Sequence, residues 1–593
     1  MSEDKNKLEM IRHSCAHLIA AAIQKLYPEA QFGVGPVVEN GFYYDIKLPV
    51  NLSDADLKQI EKQAKKMMSQ NLEFIRKEVP IDEAIAFFAE KKQVFKVDLL
   101  KDLKEKGTTK LNEEEKMDVG ESVDHVTLYT TGEFVDLCRG PHVANTKEIG
   151  DFKLTKLAGA YWRGNAENEQ LQRVYGVCFP STEELQAYLF MIEEAEKRDH
   201  RKIGKEMDLF SFQEVGPGFP FWHPSGVILY NALEQFARDQ NSARGYNEVK
   251  TPIILNKSLW VTSGHWEKYA ENMYFTTIDE EEYAVKPMNC PGGLMIYKAN
   301  PHSYKELPIR NAEFGLVHRH ELSGVLHGLF RVRSFTQDDA HSFCTSEQLE
   351  REIVDMVEYA EDMYSAFGFK EYTIFIATKP VKYIGTDEDW ENATNALKHA
   401  LEVKGLKYQI KEGEGAFYGP KIEFNIKDSL GRNWQCGTIQ VDYSMPSRFG
   451  ATYIDNNGEE KVPVMIHRAI LGSLERFLGI LVEHYSGAFP LWIAPKQVHF
   501  VPVSNEKHLE GARNLANEFK KHGIRVSIDE QDETVGKKIR KASKEKIPYI
   551  LVVGDNELTG TDVTVRVRGK EEQETLPKQQ FIERVIREIQ EKV

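Results

Sequence analysis

The order of apolar and polar positions predicts an α+β domain at the start of the chain. Apolar side chains recur at helical spacing from Leu8 onward, which predicts a helix that ends near Pro28. The alternating segments FYYDI and VTLYTTGEFVDL predict strands, and the charged stretch DADLKQIEKQAKKMMSQ predicts a helix between them. We expect this domain to cover residues 1–180.

Two further patterns divide the rest of the chain. Residues 181–207 are predicted to form one long linker helix whose second half is basic, and the charge pattern favours a solvated face for this run. From 208 to 490 the composition shifts toward Gly, Pro and aromatic residues, and strands mix with long helices, so this stretch is expected to be the largest domain. The basic residues of the linker are Lys197, Arg198, Arg201, Lys202 and Lys205.

Residues 491–593 alternate strand and helix, from the strand VHFVPV to the helix FIERVIREIQEKV. Apolar strands that alternate with helices indicate a sheet flanked by helices, so an α/β domain is expected here. Within it, TDVTVRVRG is expected to form a hairpin. The sequence shows no internal repeat and no low-complexity tract.

Composition indicates a soluble protein of several domains. The chain has 593 residues, more than one hydrophobic core organises, with 41% hydrophobic and 28% charged residues and a mean hydropathy of -0.47. Its apolar runs fall short of the roughly 20 residues that a membrane helix needs, and the charged start does not resemble a secretory signal. We therefore expect a cytoplasmic protein that does not bind membranes. We expect the six scattered cysteines to be reduced thiols or metal ligands. They are Cys15, Cys138, Cys178, Cys290, Cys344 and Cys436.

The charge distribution sets the C-terminal region apart. A net charge of -16 argues against indiscriminate coating of nucleic acid, but residues 491–593 hold 19 Lys and Arg against 17 Asp and Glu. A solvated basic face and a surface that contacts phosphates both remain open for the cluster found there. The cluster consists of Lys537, Lys538, Arg540, Lys541, Lys544, Lys546, Arg566 and Arg568.

Three segments of the central region carry arginines and acids in strand-like or helical settings. FGLVHRHELSG and LFRVRSFTQDDAHSF are two strand-like runs joined by a loop, and an arginine beside an acid there could be a plain surface ion pair. VPVMIHRAILGSLERFLGIL is predicted to run from an apolar strand into a helix that carries Gly472 and Arg476. GYNEVKTPIIL is predicted to end a long helix and enter a strand with Pro252.

In order and spacing, these segments resemble motifs 1, 2 and 3 of class II aminoacyl-tRNA synthetases. The longer strings VKPMNCPGG, FTQDDAH, GEGAFYGPKIEF and QCGTIQVDYSMPSRF resemble threonyl-tRNA synthetases in particular. The resemblance implies an α+β editing domain, an antiparallel-sheet catalytic domain, a C-terminal α/β anticodon-binding domain and a homodimer formed through motif 1. Family members usually begin with a further domain of about 60 residues, which this sequence lacks by length, and we expect activity without it.

The reaction implied by this resemblance explains the residue types of the nucleotide site. When a carboxylate attacks the α-phosphorus of ATP, charge develops on phosphoryl oxygens and calls for fixed cations. By resemblance, Arg319 would hold the α-phosphate and the carboxylate, and Arg476 the γ-phosphate of a bent ATP. Phe335 would stack on adenine, Glu321 would accept from its amino group, and Arg331 with Mg²⁺ would complete the phosphate clamp. Further expected members of the pocket are Met288, Gln337, Lys421 and Gln435.

Cys290, His341 and His467 are the three zinc ligands that the resemblance implies, with one Zn²⁺ per chain. Taken alone, each would more commonly be a packed or hydrogen-bonded residue. A Cys-His-His set with one open position is typical of a catalytic zinc site. An apolar pocket cannot strongly reject valine, which has the shape of threonine, whereas a site that engages the hydroxyl can. Asp339 would accept from the hydroxyl or the amine of the substrate.

Serine keeps the hydroxyl and lacks only a methyl group, which supplies about 1–3 kcal/mol of discrimination against it. A second site that hydrolyses mischarged seryl-tRNA is therefore expected. Two histidines lie four residues apart on the N-terminal helix, and a cysteine and a histidine share the segment VDLCRGPHV. The pattern fits a four-ligand zinc site or a polar pocket without metal. The resemblance implies hydrolysis of seryl-tRNA there without zinc, supported by a lysine and an aspartate. The candidate editing residues are His13, His17, Lys96, Asp136, Cys138 and His142.

Anticodon bases would be contacted by Glu557 and Arg566, since splayed RNA bases are read by stacking and hydrogen bonds. The family often has asparagine where this chain has Asp532, which leaves that contact open. Together these features predict a ligase that joins L-threonine to tRNA(Thr) with ATP and edits Ser-tRNA(Thr). Two alternatives are a noncatalytic regulator that binds RNA and a sister ligase for proline or serine. The joint presence of Arg319, Arg476 and the metal triad favours the threonine ligase over both alternatives.

Overall fold

A computed structural model of the chain describes residues 2–107, 123–165 and 167–592. It divides into two compact units, residues 1–193 and residues 194–593. None of the helices in these ranges is long and apolar enough to cross a membrane.

The first unit is an α+β structure, as predicted. Its larger sheet has the order β1-β3-β8-β7 with β2 beside β3, and a second sheet has the order β4-β5-β6. The helices are α1 (Ser2–Leu26), α2 (Asp54–Ser69), α3 (Ile81–Glu90) and α4 (Val94–Lys106). The strands are β1 (Gln31–Phe32), β2 (Val37–Val38), β3 (Gly41–Lys47), β4 (Phe74–Pro80), β5 (His125–Thr131), β6 (Phe134–Leu137), β7 (Asp151–Tyr161) and β8 (Gln170–Phe179).

Helix α1 organises the core of this unit. Its apolar positions Cys15, Leu18 and Ile19 are buried among residues of the larger sheet and of α2, as the helical spacing predicts. The same spacing places His13 and His17 one turn apart on α1.

The prediction of a single linker helix over residues 181–207 is wrong. The structure has two helices, α5 (Thr182–Lys197) and α6 (His200–Glu206). The side chain of Asp199 accepts from the backbone N–H of Arg201 and caps α6, so a new helix begins where the sequence pattern continues the old one.

The second unit is built on an eight-stranded sheet with the order β11-β15-β16-β23-β20-β19-β17-β18. Its pairs are antiparallel except at the edges, where β11 pairs β15 and β17 pairs β18 in parallel. The strands are β9 (Phe210–Phe212), β10 (Pro220–Trp222), β11 (Asn247–Glu248), β12 (Ile254–Asn256), β13 (Tyr274–Ile278), β14 (Glu281–Val285), β15 (Ile309–His318), β16 (Ser334–Cys344), β17 (Tyr372–Ala377), β18 (Tyr408–Lys411), β19 (Lys421–Lys427), β20 (Asn433–Asp442), β21 (Tyr453–Ile454), β22 (Glu460–Lys461) and β23 (Val464–Ser473).

Helices cover the sheet and close a large apolar core. Residues of α7, α11, α12 and α14 share one buried cluster with the inner faces of the strands, which is the layer arrangement that buries an antiparallel sheet on one side. The helices are α7 (Pro224–Ala243), α8 (Lys257–Ser263), α9 (His265–Lys268), α10 (Cys290–Lys298), α11 (Leu349–Ala366), α12 (Asp387–Val403), α13 (Ser444–Arg448) and α14 (Leu474–His484).

Two details of the predicted motifs differ in the structure. Gly472 lies at the end of β23 and not on the helix, with φ +79, and a Cβ there would lie 3.0 Å from the carbonyl oxygen of Cys436. Only Arg476 is on α14. Pro252 precedes β12 and is not within it, since proline donates no hydrogen bond to a sheet.

The remaining residues of the second unit form the predicted α/β layer. Three parallel strands, β25-β24-β26, continue into the antiparallel strands β27 and β28. TDVTVRVRG supplies only β27, so the hairpin needs β28 as well. The elements are β24 (Val498–Pro502), α15 (Asn505–Lys521), β25 (Val526–Ile528), α16 (Val535–Lys544), β26 (Tyr549–Val553), α17 (Asp555–Thr559), β27 (Asp562–Val567), β28 (Gln573–Pro577) and α18 (Lys578–Glu591).

Candidate active site

The structure brings Cys290, His341 and His467 together. His341 on β16 and His467 on β23 are direct cross-strand partners, and Cys290 is the first residue of α10. Their possible ligand atoms all lie within 4.8 Å of one another, and all three residues are buried. Three donors from separate elements therefore converge on one point of the sheet.

The protonation of this triad suits a cation. Burial raises the pKa of the Cys290 thiol well above its ordinary value and lowers the pKa of His341 well below it. The Nε2 atom of His341 is buried without a hydrogen-bond partner, and Nε2 of His467 lies 3.2 Å from Oδ2 of Asp442. A neutral imidazole with an orphaned nitrogen, beside a thiol that a cation would deprotonate, fits Zn²⁺.

Asp339 lies beside the triad. Its Oδ1 is 3.6 Å from Nε2 of His341, and its Oδ2 accepts from Asn289 at 3.1 Å. Burial raises the pKa of Asp339 to about 6. The ring of Tyr418 lies 5.3 Å from that of His467. Sequence reasoning did not assign Asn289 or Tyr418, although both lie inside the motif strings that carry the resemblance.

A second group of predicted residues meets where β15 ends and β16 begins. The guanidinium of Arg319 lies 5.1 Å from the centre of the Phe335 ring, and its Nε donates to the carbonyl of Pro287 at 3.1 Å. Glu321 and Arg331 form an ion pair at 3.0 Å. Two cations, an aromatic ring and a carboxylate therefore share one edge of the sheet.

Arg476 lies in the first turn of α14, and its Nε is buried without a hydrogen-bond partner. The strand before this helix is held by Asp338, whose carboxylate accepts from the backbone N–H groups of Ile470, Leu471 and Gly472 at 3.0, 2.9 and 2.8 Å. Asp338 therefore fixes the backbone that leads to Arg476. Its role was not visible in the sequence, where it is only the neighbour of Asp339.

The other predicted pocket members are more dispersed. Lys421 pairs with Gln440, which in turn pairs with His467, so Lys421 lies in the same row two strands away. Gln337 lies on β16 with an Oε1 atom that is buried and unpaired. Gln435 is exposed at the start of β20, and Met288 packs into the apolar cluster around Cys290.

One further histidine lies close to these residues. His265 on α9 is fully buried; its Nδ1 is 2.8 Å from Oγ of Ser263 and its Nε2 has no partner. Burial lowers its pKa to about 3. The charges of Arg319 and His467 lower the pKa of His265 further. A single histidine in a helical stretch gives no sequence signal of this kind.

The N-terminal unit brings the four predicted imidazole and thiol groups together. The possible ligand atoms of His13, His17, Cys138 and His142 lie within 4.8 Å of one another. Sγ of Cys138 lies 3.2 Å from Nε2 of His13 and 3.3 Å from Nε2 of His142. Nδ1 of His142 is 3.1 Å from Oγ of Ser14. The donor set fits a metal. Without one, Cys138, His13 and His142 contact one another, whereas Nδ1 of His17 is buried without a hydrogen-bond partner.

Asp136 connects this cluster to a buried lysine. Its carboxylate contacts Nζ of Lys96 and the hydroxyl of Tyr44, and it lies 3.5 Å from Nε2 of His17. Tyr44 was not predicted from the sequence. Lys96 and Asp136 are each almost fully buried, so each charge depends on the other.

Burial controls the protonation of the cluster. It lowers the pKa of His142 to about 2, lowers that of His17 well below the ordinary value and lowers that of His13. It raises the pKa of Cys138 to about 12. At neutral pH the cluster therefore holds uncharged imidazoles and an uncharged thiol.

The predicted anticodon residues separate into two groups. Glu557 accepts from Gly554 N–H and from the Thr564 hydroxyl, both at 3.0 Å, and Nε of Arg566 is buried and unpaired. Asp532 is exposed. Lys538 is buried and donates to Oδ1 of Asn505 at 2.8 Å, so its inclusion in a solvated or phosphate-contacting surface is wrong.

Two other members of the basic cluster also have internal partners. Arg568 donates to the carbonyls of Lys546 and Phe489, both at 2.7 Å, and Lys546 contacts the carbonyl of Ser486. These cations hold backbone carbonyls between the large sheet and the last layer of the second unit. Arg540 and Lys544 remain exposed.

An antiparallel sheet with motif arginines at one edge and a mixed α/β layer after it defines a class II aminoacyl-tRNA synthetase. The family model for the tRNA synthetase class II core domain (G, H, P, S and T) matches residues 274–485, and the model for the anticodon-binding domain matches 497–588. The model for the second additional domain of threonyl and alanyl tRNA synthetases matches residues 126–175. The chain belongs to the threonine–tRNA ligase family, as its similarity to whole members of that family shows.

A threonine–tRNA ligase from Carboxydothermus hydrogenoformans is 51% identical over 590 residues, which make up 100% of this chain and 90% of that protein. One from Acetivibrio thermocellus is 49% identical with the same coverage. A crystal structure described as the RNA-binding domain of threonyl-tRNA synthetase from Cryptosporidium parvum is 43% identical with a TM-score of 0.64, and covers 65% of this chain and 97% of that one. The predicted family and fold class are confirmed.

Proposed function

We propose that the chain activates L-threonine with ATP, transfers it to tRNA(Thr) and hydrolyses Ser-tRNA(Thr) in its N-terminal unit. The observation that carries this proposal is the meeting of Cys290, His341 and His467 on the sheet whose edge holds Arg319. A site for a hydroxylated amino acid and a site for a polyphosphate would then lie on one sheet.

The arginines supply the charge that adenylate formation needs. Arg319 would bind the α-phosphate and the threonine carboxylate, and Arg476, whose Nε has no protein partner, would bind the γ-phosphate. Glu321 would exchange its contact with Arg331 for the adenine amino group, which frees Arg331 for the phosphates and Mg²⁺. Phe335 would stack on the base. Lys421, Gln435 and Gln337 would contribute polar contacts, and Met288 an apolar wall.

The triad would hold one zinc ion. The ion held by these three residues would supply Lewis-acid chemistry toward the amine and hydroxyl of threonine, and valine would offer it no hydroxyl. Asp339, whose pKa burial raises to about 6, would be mainly ionised at neutral pH and would accept a hydrogen bond from the substrate. Asn289 orients that carboxylate through its amide.

Hydrolytic editing would use the cluster around Cys138. The uncharged imidazole of His13 would accept the proton of the attacking water, and Lys96 would stabilise the oxyanion. Asp136 would fix Lys96 and His17. A second candidate is a metal-dependent hydrolysis, favoured by the 4.8 Å convergence of the four ligand atoms.

The remaining assignments complete the proposal. Residues 1–180 would edit, 208–490 would catalyse and 491–593 would bind the anticodon, where Glu557, Arg566 and Asp532 would contact bases. We further propose a cytoplasmic homodimer that forms through the segment around Pro252.

Threonine-dependent exchange of pyrophosphate into ATP tests the synthetic proposal. Threonine is expected to support exchange far better than serine, valine or proline, and chelation is expected to remove bound zinc and exchange together. No exchange with any amino acid would favour the regulator. Fastest exchange with proline or serine would favour a sister ligase, and full activity of metal-free protein would contradict the zinc site.

The editing proposal is tested by His17→Ala, with His125→Ala as the control because His125 is exposed on the same unit. His17→Ala should leave exchange intact and allow Ser-tRNA(Thr) to accumulate. Unchanged deacylation in this variant would contradict the assignment. The number of zinc ions per chain decides between the two editing mechanisms: one ion supports metal-free editing, and two ions support the metal-dependent hydrolysis.

A further inference from the structure

His200 is a fully buried histidine outside the residues assigned to substrates. It is the first residue of α6 and follows the cap residue Asp199. Its ring packs 4.1 Å from the ring of Phe330, which lies in the loop that joins β15 to β16. A linker residue therefore reaches the loop that carries Glu321 and Arg331.

Both ring nitrogens of His200 have partners from distant segments. The backbone N–H of Leu329 donates to Nε2 at 3.0 Å, and Nδ1 lies 2.7 Å from Oε1 of Glu483. Because Nε2 accepts, it carries no proton, and Nδ1–H must donate to Glu483. The tautomer is therefore fixed by the two neighbours.

The loop lies directly against this ring. Gly328 has φ +48, and a Cβ built on it would lie 2.1 Å from Nε2 of His200. Only a residue without a side chain permits this approach. Arg331, which forms the ion pair with Glu321, is two residues after Leu329.

Glu483 extends the contact to a second catalytic element. It lies in the last turn of α14, the helix that carries Arg476, and its Oε2 is 2.6 Å from a terminal nitrogen of Arg432. Asp199, His200 and Glu483 also satisfy the spacing of a metal group. Leu329 already donates to Nε2 of His200, Arg432 forms an ion pair with Glu483, and Arg201 donates to the carboxylate of Asp199. These structural partners explain the three residues better than a metal does.

We propose that His200 is a positioning residue for adenylate formation, which places the loop of Glu321 and Arg331 relative to α14 through its bond to Leu329. This inference rests on the proposed nucleotide-binding role of those residues. Loss of the bond to Leu329 should weaken ATP binding and leave threonine binding unchanged, because the zinc triad belongs to β16, β23 and α10.

Two substitutions separate the two bonds of His200. His200→Asn keeps a donor near the position of Nδ1 and loses the acceptor for Leu329, whereas His200→Gln can place an oxygen near the position of Nε2 and loses the donor to Glu483. We expect His200→Asn to raise the KM for ATP about five- to tenfold, the equivalent of one hydrogen bond, with the KM for threonine unchanged. His200→Gln should restore the KM for ATP to within about twofold of wild type.

The matched control is His399→Asn, because His399 forms an exposed pair with Glu350 at 2.9 Å. It should leave both KM values unchanged. If His200→Asn does not fold, Gly328→Ala tests the same contact from the loop side and should also raise the KM for ATP alone.

A wild-type KM for ATP in His200→Asn or Gly328→Ala would overturn the proposal. Equal rises in His200→Asn and His200→Gln, in proportion to their losses of thermal stability, would also overturn it. Hydrogen exchange at the amide of Leu329, expected to accelerate in the Asn variant but not in the Gln variant, needs no activity. If the wild type shows no threonine-dependent exchange, the proposed function fails, while the amide measurement still decides whether His200 holds the loop.

Discussion

Acidification should destabilise the N-terminal unit through its buried imidazoles. Burial lowers the pKa of His142 to about 2, and those of His17 and His13 are also lowered. A histidine whose pKa is lowered by folding stabilises the folded state above its unfolded pKa of about 6.5. This stabilisation is lost as the pH falls toward the folded value, because the unfolded chain binds protons that the folded chain excludes.

The size of the effect follows from linkage. For a histidine with a pKa of about 6.5 when unfolded and well below 5 when folded, the free energy of unfolding falls by about 1.9 kcal/mol between pH 7 and pH 5. His142 alone should therefore cost about 1.9 kcal/mol, and His17 and His13 add losses of the same sign. This loss is a large share of the stability of an ordinary domain.

The assay is urea-dependent hydrogen exchange of α1 in the full chain, measured at pH 7 and pH 5 and corrected for intrinsic exchange. Wild type should lose at least about 2 kcal/mol between the two conditions, and His142→Gln should lose about 2 kcal/mol less than wild type because one titrating group is gone. His125→Gln, a change at an exposed residue, should behave as wild type.

An equal loss in wild type and His142→Gln would refute the reasoning, since the protons would then bind elsewhere. A gain of stability at pH 5 would refute its sign.

Two other changes test how the catalytic sheet is held. Lys286→Met should destabilise the second unit by about 3–5 kcal/mol in calorimetry, because it leaves Glu313 buried without the ammonium group that now lies 2.9 Å away. The double variant Lys286→Met with Glu313→Gln should recover most of this loss. A single variant as stable as wild type would contradict the argument. Gly472→Ala should lower the free energy of unfolding by about 1–2 kcal/mol and lower pyrophosphate exchange at least tenfold. The reason is that φ is +79 and the new Cβ would press on the Cys436 carbonyl. Gly450→Ala, at φ +60 in open space, should share the strain and keep the exchange rate, so equal exchange losses in both would count against a local effect.

The sequence predicted elements whose pattern repeats locally. Helix α1 and the strands β15 and β16 follow from their local apolar pattern, although α1 is buried on every side from residue 14 to 23 and β16 on both faces from residue 338 to 344. The division of the linker into α5 and α6 did not follow, because His200 is drawn into the core by Glu483, which lies 283 positions away. Only tertiary contact reveals that a basic run is interrupted by a buried residue.

The candidate site shows the same limit. Spacing alone does not relate His341 to His467, because their contact depends on the pairing of two strands 126 residues apart. The resemblance to a family supplied the triad, and the structure places its members together. Lys538 is the opposite case, since a basic helix predicts exposure and the polar atoms that bury this ammonium come from another segment.

The cross-strand position of His341 and His467 has a consequence for folding fidelity. Side chains alternate between the faces of a sheet, so a slip of one residue between β16 and β23 would turn one imidazole toward the opposite face. Under the proposed function, a misregistered chain would lose the paired imidazoles through which the threonine hydroxyl would be recognised. Accuracy in translating the genetic code thus begins, for this molecule, with the correct alignment of two neighbouring strands.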